Sequence, residues 1–118
     1  MFGVLCSMTA VLSLSLCAVL LIAPDRYVDL YGLAADQGGV FMGRRAAPLL
    51  LGLAVFFWVM RDAGPGPMRD ATAFAAALTF CGIAATGAWA YVTGTASFAI
   101  LVAAALETAI GLAFLLVR

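Results

Sequence analysis

Four long apolar stretches occupy most of this 118-residue chain, and a single carboxyl group, that of Glu107, lies in the middle of the last one. A helix rises 1.5 Å per residue, so about 20 apolar residues cross the roughly 30 Å hydrocarbon core of a bilayer. Hydrophobic residues make up 66% of the chain and charged residues 10%, whereas soluble domains carry about 25% charged residues. The sequence therefore predicts an all-α membrane protein with four transmembrane helices.

The four spans are predicted at approximately residues 2–23, 37–60, 71–92 and 96–117, within one domain. The first span has no basic segment before it and no A-x-A cleavage pattern after it, so we expect a retained helix rather than a signal peptide. Short connections make consecutive helices antiparallel. The expected architecture is an up-down-up-down bundle.

The connections after the first and second spans differ in sequence and in predicted structure. The segment PDRYVDLYGL, residues 24–33, alternates apolar and charged positions and predicts a short interfacial helix in the headgroup layer between helices 1 and 2. The segment RDAGPGPMRDA, residues 61–71, contains glycines and prolines that prevent helix continuation, so it predicts a hairpin loop.

The second span carries charge. Its uninterrupted apolar run, Ala46 to Met60, is 15 residues, or about 22 Å, which is short of a crossing. Extending the helix back to an N-cap at Asp36 restores a full crossing, and it places Arg44 and Arg45 inside the helix. The same extension makes Pro48 an interior proline, which predicts a helix kink.

A charged acid at the centre of a spanning helix costs about 2.5 to 3.5 kcal/mol unless it is protonated or paired. Small residues flank Glu107 at four-residue spacing, and they predict that its carboxyl lies inside the bundle. By distance from the helix starts, Arg44 and Arg45 lie at the same depth as Glu107. We hypothesise an intramembrane ion pair between Glu107 and Arg45 or Arg44, Arg45 being favoured because it lies a heptad from Gly38 and Gly52. The alternative is a protonated Glu107 bonded to Thr79, Thr86, Ser13 or a backbone carbonyl.

Polar and small side chains also follow one face of the first helix. Their spacings of three, four and four residues predict that this face contacts protein rather than lipid. They either pack as ordinary small residues, the favoured interpretation, or line a polar path with Glu107. The residues are Cys6, Thr9, Ser13 and Cys17.

Several kinds of site are excluded by composition. The chain has no histidine and no lysine, so no haem or retinal is expected, and its three cysteines form no CxxC pair, so no metal is expected either. Zero net charge without a basic face argues against nucleic acid. No nucleophile with a base and no phosphate loop is present, so we expect neither enzyme activity nor a cofactor.

The cations divide equally between the two sides, with Arg61, Arg69 and Arg118 on the side of the termini. If Arg44 and Arg45 lie inside a helix, only Arg26 remains as a loop charge on the other side. Positive residues favour the cytoplasm, so both termini are expected there.

The first helix ending in APDRYVDLYGL, followed by the arginine-led GRRAAPLLLGLAVFFW and two further spans, resembles bacterial four-helix membrane proteins distantly similar to DoxX-like proteins. The resemblance implies an inner-membrane bundle, sometimes an accessory component beside a membrane oxidoreductase. It implies no catalytic residue. We therefore expect a non-catalytic accessory or assembly subunit whose partners are the lipid bilayer and other membrane subunits or itself. The alternatives are an oligomeric small-solute or proton-coupled transporter or channel using the Arg–Glu site, and a quinone or lipid binder.

Overall fold

A computed structural model describes all residues 1–118. Its five α-helices are α1 (Phe2–Ile22), α2 (Pro24–Asp29), α3 (Gln37–Met60), α4 (Pro67–Val92) and α5 (Ala99–Val117). All but α2 are long and apolar enough to cross a membrane. The prediction of an all-helical protein with four candidate spans is confirmed.

Local chemistry sets the helix boundaries. The Asp36 side chain accepts a hydrogen bond from the Gly39 amide at 2.6 Å, so the predicted N-cap of α3 is present. Helix α4 begins at Pro67, four residues before the predicted start, because proline is well tolerated in a first helical turn. Helix α5 begins at Ala99, three residues later than predicted. The remaining long-helix ends agree with prediction to within a residue.

The long helices pack as two antiparallel pairs, α1 with α3 and α4 with α5. In the first pair, a Cβ added at Gly3 would lie 2.6 Å from the Arg61 carbonyl oxygen, so the start of α1 contacts the end of α3. In the second pair, Gly111 lies against Cys81 in a similarly close approach. Small residues permit these approaches, as is usual where membrane helices contact each other.

An aromatic cluster joins the two pairs at the end that carries both termini. The Phe114 ring lies 6.0 Å from the Phe2 ring and 5.3 Å from the Phe57 ring, centre to centre, so α5 meets α1 and α3 there. These separations are typical of favourable aromatic contacts. The surrounding cluster draws buried residues from all four long helices, namely Phe2, Cys6, Ala10, Phe57, Ala73, Ala76, Phe80 and Phe114.

Helix α2 and the turn after it connect the pairs at the opposite end. The turn closes at Gly32, whose φ of 73° is the left-handed conformation that glycine adopts readily. Next to it, the Tyr31 carbonyl accepts a hydrogen bond of 2.8 Å from the Ser97 amide in the α4–α5 connection. The segment therefore crosses from the α1–α3 pair to the α4–α5 pair, as a short helix predicted to be interfacial can do.

Candidate functional site

Glu107 lies on the interior face of α5. It is half-buried and stands seven residues before Phe114, which is fully buried in the aromatic cluster. Seven residues are nearly two helical turns, so both side chains share one face. Ala104 and Gly111 on the same face contact α4, where Gly87 and Cys81 lie opposite them. The small residues around Glu107 thus allow α4 to pack closely, and they place the carboxyl inside the bundle.

The polar face of α1 is buried, as its spacing predicts. The exposed fractions of Cys6, Thr9, Ser13 and Cys17 range from 0% to 4%. Thr9 donates its hydroxyl hydrogen bond to the Leu5 carbonyl at 2.9 Å within the helix, whereas Ser13 has no hydrogen-bond partner within the protein.

The contact between Phe2 and Phe114 sets the relative depth of α1 and α5. Thr9 is seven residues from Phe2, and Glu107 is seven residues from Phe114. Both residues therefore lie about 10 Å from the aromatic cluster. Thr9, on the polar face of α1, and Glu107 of α5 therefore lie at about the same depth.

Tyr27 of α2 lies at the end of the bundle opposite the aromatic cluster. Its ring packs on a small cluster of Cys17, Leu20 and Ala47, between α1 and α3. Burial, the adjacent Tyr31 and the negative charge of Glu107 together raise the pKa of Tyr27 above its usual range. The Glu107 carboxyl therefore lies within electrostatic range of a phenol belonging to α2.

The structure does not bring Glu107 together with either arginine. Arg44 and Arg45 are both exposed, and the protein's single ion pair joins Arg61 to Asp62 at 3.2 Å. The Arg45 guanidinium instead lies 5.6 Å from the centre of the Phe41 ring. The predicted intramembrane ion pair is absent.

Two features of the geometry keep Arg45 and Glu107 apart. Arg45 precedes the fully buried Ala47 by two residues, which places it about 160° around the helix from the interior face. The face that it shares with Gly52 points outward, since an added Cβ at Gly52 would meet no atom within 4 Å. The two residues also lie at different depths, because Arg45 is twelve residues from Phe57 and Glu107 only seven from Phe114, a difference of about 7 Å.

The alternative set of hydrogen bonds is not formed either. Glu107 has no hydrogen bond to Thr79, Ser13 or a backbone carbonyl, and the Thr86 hydroxyl donates to the Ile83 carbonyl at 2.7 Å. Pro48 lies inside a continuous α3, as predicted, and the bend that it should cause stays a prediction.

Sequence reasoning overlooked two contributions. Tyr27 was assigned to an interfacial helix without a role, although its four-residue spacing from Tyr31 indicates one shared aromatic face, where the ring centres lie 5.3 Å apart. Arg69 was counted only as a surface charge. It lies 4.6 Å above the Phe2 ring and donates a hydrogen bond to the Val117 carbonyl, so it joins the start of α4 to the end of α5.

The chemistry available at Glu107 is that of a single carboxyl that has no ion-pair partner in the protein. No group of three or more histidine, cysteine or acidic side chains could hold a metal ion. A lone carboxyl in this setting can carry a proton or accept a hydrogen bond from a polar guest. Comparison of the chain with protein-family models, curated proteins and solved structures finds no match.

The absence of the ion pair makes a quantitative prediction. Glu107→Gln, Arg45→Gln and the double variant should form an additive cycle, with a coupling free energy below about 0.5 kcal/mol. Reversible unfolding by sodium dodecyl sulfate in mixed micelles measures each free energy. A coupling of several kcal/mol would show that Glu107 and Arg45 do form an ion pair, because breaking a buried pair costs about 3 to 5 kcal/mol.

Proposed function

We propose that this protein is a non-catalytic accessory or assembly subunit of a larger membrane complex, and that it docks through the outer surface of the α4–α5 pair. The observation that carries the proposal is a groove of about 690 Å³ along this surface. Six of its nine lining residues are alanine. The full set is Cys81, Ala84, Ala85, Ala88, Ala104, Ala105, Thr108, Ala109 and Leu112.

Such a groove suits a transmembrane helix of a partner protein. Lipid tails are as apolar as leucine, so membrane helices associate through close van der Waals packing between small residues. Alanines at the base of a long groove let a second backbone approach closely along several turns. Thr108 adds no free polar group, because its hydroxyl donates to the Ala104 carbonyl at 2.8 Å. The groove is therefore shaped for packing and carries no reactive chemistry.

The resemblance to DoxX-like proteins supports an accessory role beside a membrane oxidoreductase. We further propose the bacterial inner membrane as the location, with both termini in the cytoplasm. Arg44 and Arg45 lie eight and nine residues after the N-cap of α3, deep in the span, which leaves Arg26 of α2 as the arginine at that end. At the other end Arg61 and Arg118 follow α3 and α5, and Arg69 lies in the first turn of α4. The three arginines at the opposite end then determine the orientation. Reporter fusions after Arg118 test it.

The test of the docking role is isolation in mild detergent from native membranes. The wild-type protein should co-purify with a larger membrane protein in fixed stoichiometry. Ala85→Leu with Ala109→Leu, at two exposed groove positions, should abolish co-purification while preserving the monomer fold. Ala75→Leu, exposed on α4 and outside the groove, is the matched control and should retain the partner.

Two results would contradict docking of a partner protein in this groove. A homo-oligomer that the groove variants dissociate would show that a second copy fills the groove. Unchanged recovery of the partner in those variants would show that docking uses another surface. Equal helical circular dichroism of the groove variants and the control would show that the groove variants remain folded.

One observation favours a second function, a small-solute or proton-coupled transporter. Glu107 is half-buried without an ion-pair partner, at the depth of the polar face of α1. An intramembrane ionisable group of this kind is typical of a transport pathway. Flux through reconstituted vesicles that Glu107→Gln abolishes would support transport, and wild-type vesicles without flux would reject it.

A further inference from the structure

A groove of about 650 Å³ lies on the outer surface near the start of α3, and it is lined by charges of both signs. Arg44 and Arg45 supply two guanidinium groups, and Asp25 and Asp36 supply two carboxylates. The remaining lining residues are Ala35, Gln37, Val40 and Phe41. No arginine here lies within 4 Å of a carboxylate, since the protein's one ion pair is elsewhere. The two guanidinium groups and the Asp25 carboxylate therefore have no charged partner in the protein, and the Asp36 carboxylate has one oxygen left beyond the one that caps α3.

The charges are arranged in order along α3. Asp36 is the N-cap, and Arg44 follows it by eight residues, about 12 Å nearer to the membrane centre. Arginine side chains on a helix lean toward its N-terminus, and the Arg45 guanidinium accordingly lies beside Phe41, one turn earlier. The cations thus lie on the membrane side of Asp36. Asp25 lies beside them at a similar depth, because its neighbour Pro24 packs against Gly43.

A separate apolar groove lies farther along α3, toward the opposite end of the protein. Leu51 follows Arg44 by seven residues and lies on nearly the same face of α3. It belongs to a groove of about 410 Å³ between α1 and α3, whose lining is entirely apolar. The lining residues are Ala10, Val11, Leu14, Leu51, Ala54, Val55 and Trp58.

We propose that these two grooves form one site for a phospholipid whose headgroup carries both a phosphate and a primary ammonium, as in phosphatidylethanolamine. The phosphate meets Arg44 and Arg45, whose planar guanidinium groups match phosphate oxygens in geometry and charge. The ammonium, which lies farther from the acyl chains, meets Asp25 and Asp36. An acyl chain occupies the apolar groove between α1 and α3.

The charge pattern selects this lipid over others. An anionic lipid without an amine would place no cation beside the two carboxylates, and its negative charge would be repelled by them. A choline headgroup has a positive charge but no N–H donor, whereas a primary ammonium donates three hydrogen bonds. A free phosphate would fill only the arginine half of the site. This lipid site is distinct from the proposed groove for a partner subunit, because it lies on the α1–α3 pair and not on the α4–α5 pair.

Native mass spectrometry of the delipidated protein in dodecyl maltoside, titrated with dioleoyl lipids, tests the site. Phosphatidylethanolamine should bind more tightly than phosphatidylglycerol or phosphatidylcholine. Arg44→Gln and Arg45→Gln should each weaken its binding about tenfold. Arg26→Gln, an exposed arginine on α2 outside the groove, is the matched control and should leave binding unchanged.

A double variant tests the selectivity itself. Asp25→Asn with Asp36→Asn removes both negative charges, and asparagine at position 36 keeps an oxygen that can cap α3. This variant should prefer phosphatidylglycerol to phosphatidylethanolamine. Circular dichroism confirms that each variant remains helical.

Three outcomes would overturn the proposal. Wild-type protein that binds phosphatidylglycerol at least as tightly as phosphatidylethanolamine would remove the role of the carboxylates. Binding that neither arginine variant weakens would place the lipid elsewhere. Displacement of the lipid by inorganic phosphate at equal concentration would identify a phosphate site rather than a lipid site.

Discussion

Replacing Gly111 by leucine is expected to separate α4 from α5 and to destabilise the protein by about 3 kcal/mol or more, because the side chain has no space. A Cβ at this position would already lie 2.8 Å from the Cys81 sulfur and 3.3 Å from the Ala77 carbonyl oxygen. The Ala77 oxygen belongs to the α4 backbone and cannot rotate away. The leucine would therefore force the two helices apart along their main contact. Reversible unfolding in mixed micelles measures the loss.

Gly82→Leu is the matched control for this prediction. Gly82 lies on α4, one residue from Cys81, and a Cβ built there meets no atom within 4 Å. The substitution exchanges the same residue types in an equally apolar helix and should change the free energy of unfolding by less than about 1 kcal/mol. If both variants were equally stable, the close contact between α4 and α5 would not support the fold.

Phe114→Ala is expected to lower the free energy of unfolding by about 3 kcal/mol, at the lower end of values for buried phenylalanine. The Phe114 side chain is 0% exposed and contacts Phe2 of α1 and Phe57 of α3. Alanine would leave a cavity at the point where the two helix pairs meet. The lower end is expected because the separated helices remain in hydrocarbon, so only packing is lost.

The control for Phe114→Ala is Leu116→Ala, two residues along the same helix, where the side chain is 86% exposed. It should have almost no effect on unfolding. Limited proteolysis in the same micelles gives a second measurement, since loosening of the pairs exposes the loop of residues 61–66 in the Phe114 variant alone. Equal resistance of the two variants to protease and to denaturing detergent would contradict the role of the aromatic cluster.

Different contacts close the two ends of the bundle interior. Aromatic packing and Arg69 close the end with the termini, while α2 and the turn after it, whose Tyr31 carbonyl accepts a hydrogen bond from the Ser97 amide, close the other. Glu107 lies between these closures, near Tyr27 and level with the polar face of α1. The charge of Glu107 adds to burial and to Tyr31 in raising the pKa of Tyr27, so the carboxyl and α2 are coupled electrostatically.

The sequence by itself determined the membrane class, the four spans, the α3 cap at Asp36 and the burial of the α1 polar face. Each of these depends on local properties. Hydropathy over about 20 residues identifies a spanning helix, and a short polar side chain before an apolar helix identifies a cap. Polar residues at helical spacing identify a face that avoids lipid. All these signals are readable because a polar group differs strongly from its apolar surroundings.

Only the tertiary structure decided which helices pair, where the arginines point and that α2 packs against α1 and α3. Lipid and the bundle interior are equally apolar, so the hydrophobic pattern of a membrane helix does not distinguish its inner face from its outer face. Arg45 was placed inside on the spacing of Gly38 and Gly52, and the glycines instead face outward. Relative depth depends on contacts such as Phe57 with Phe114, which join residues far apart in the chain and follow from side-chain packing alone.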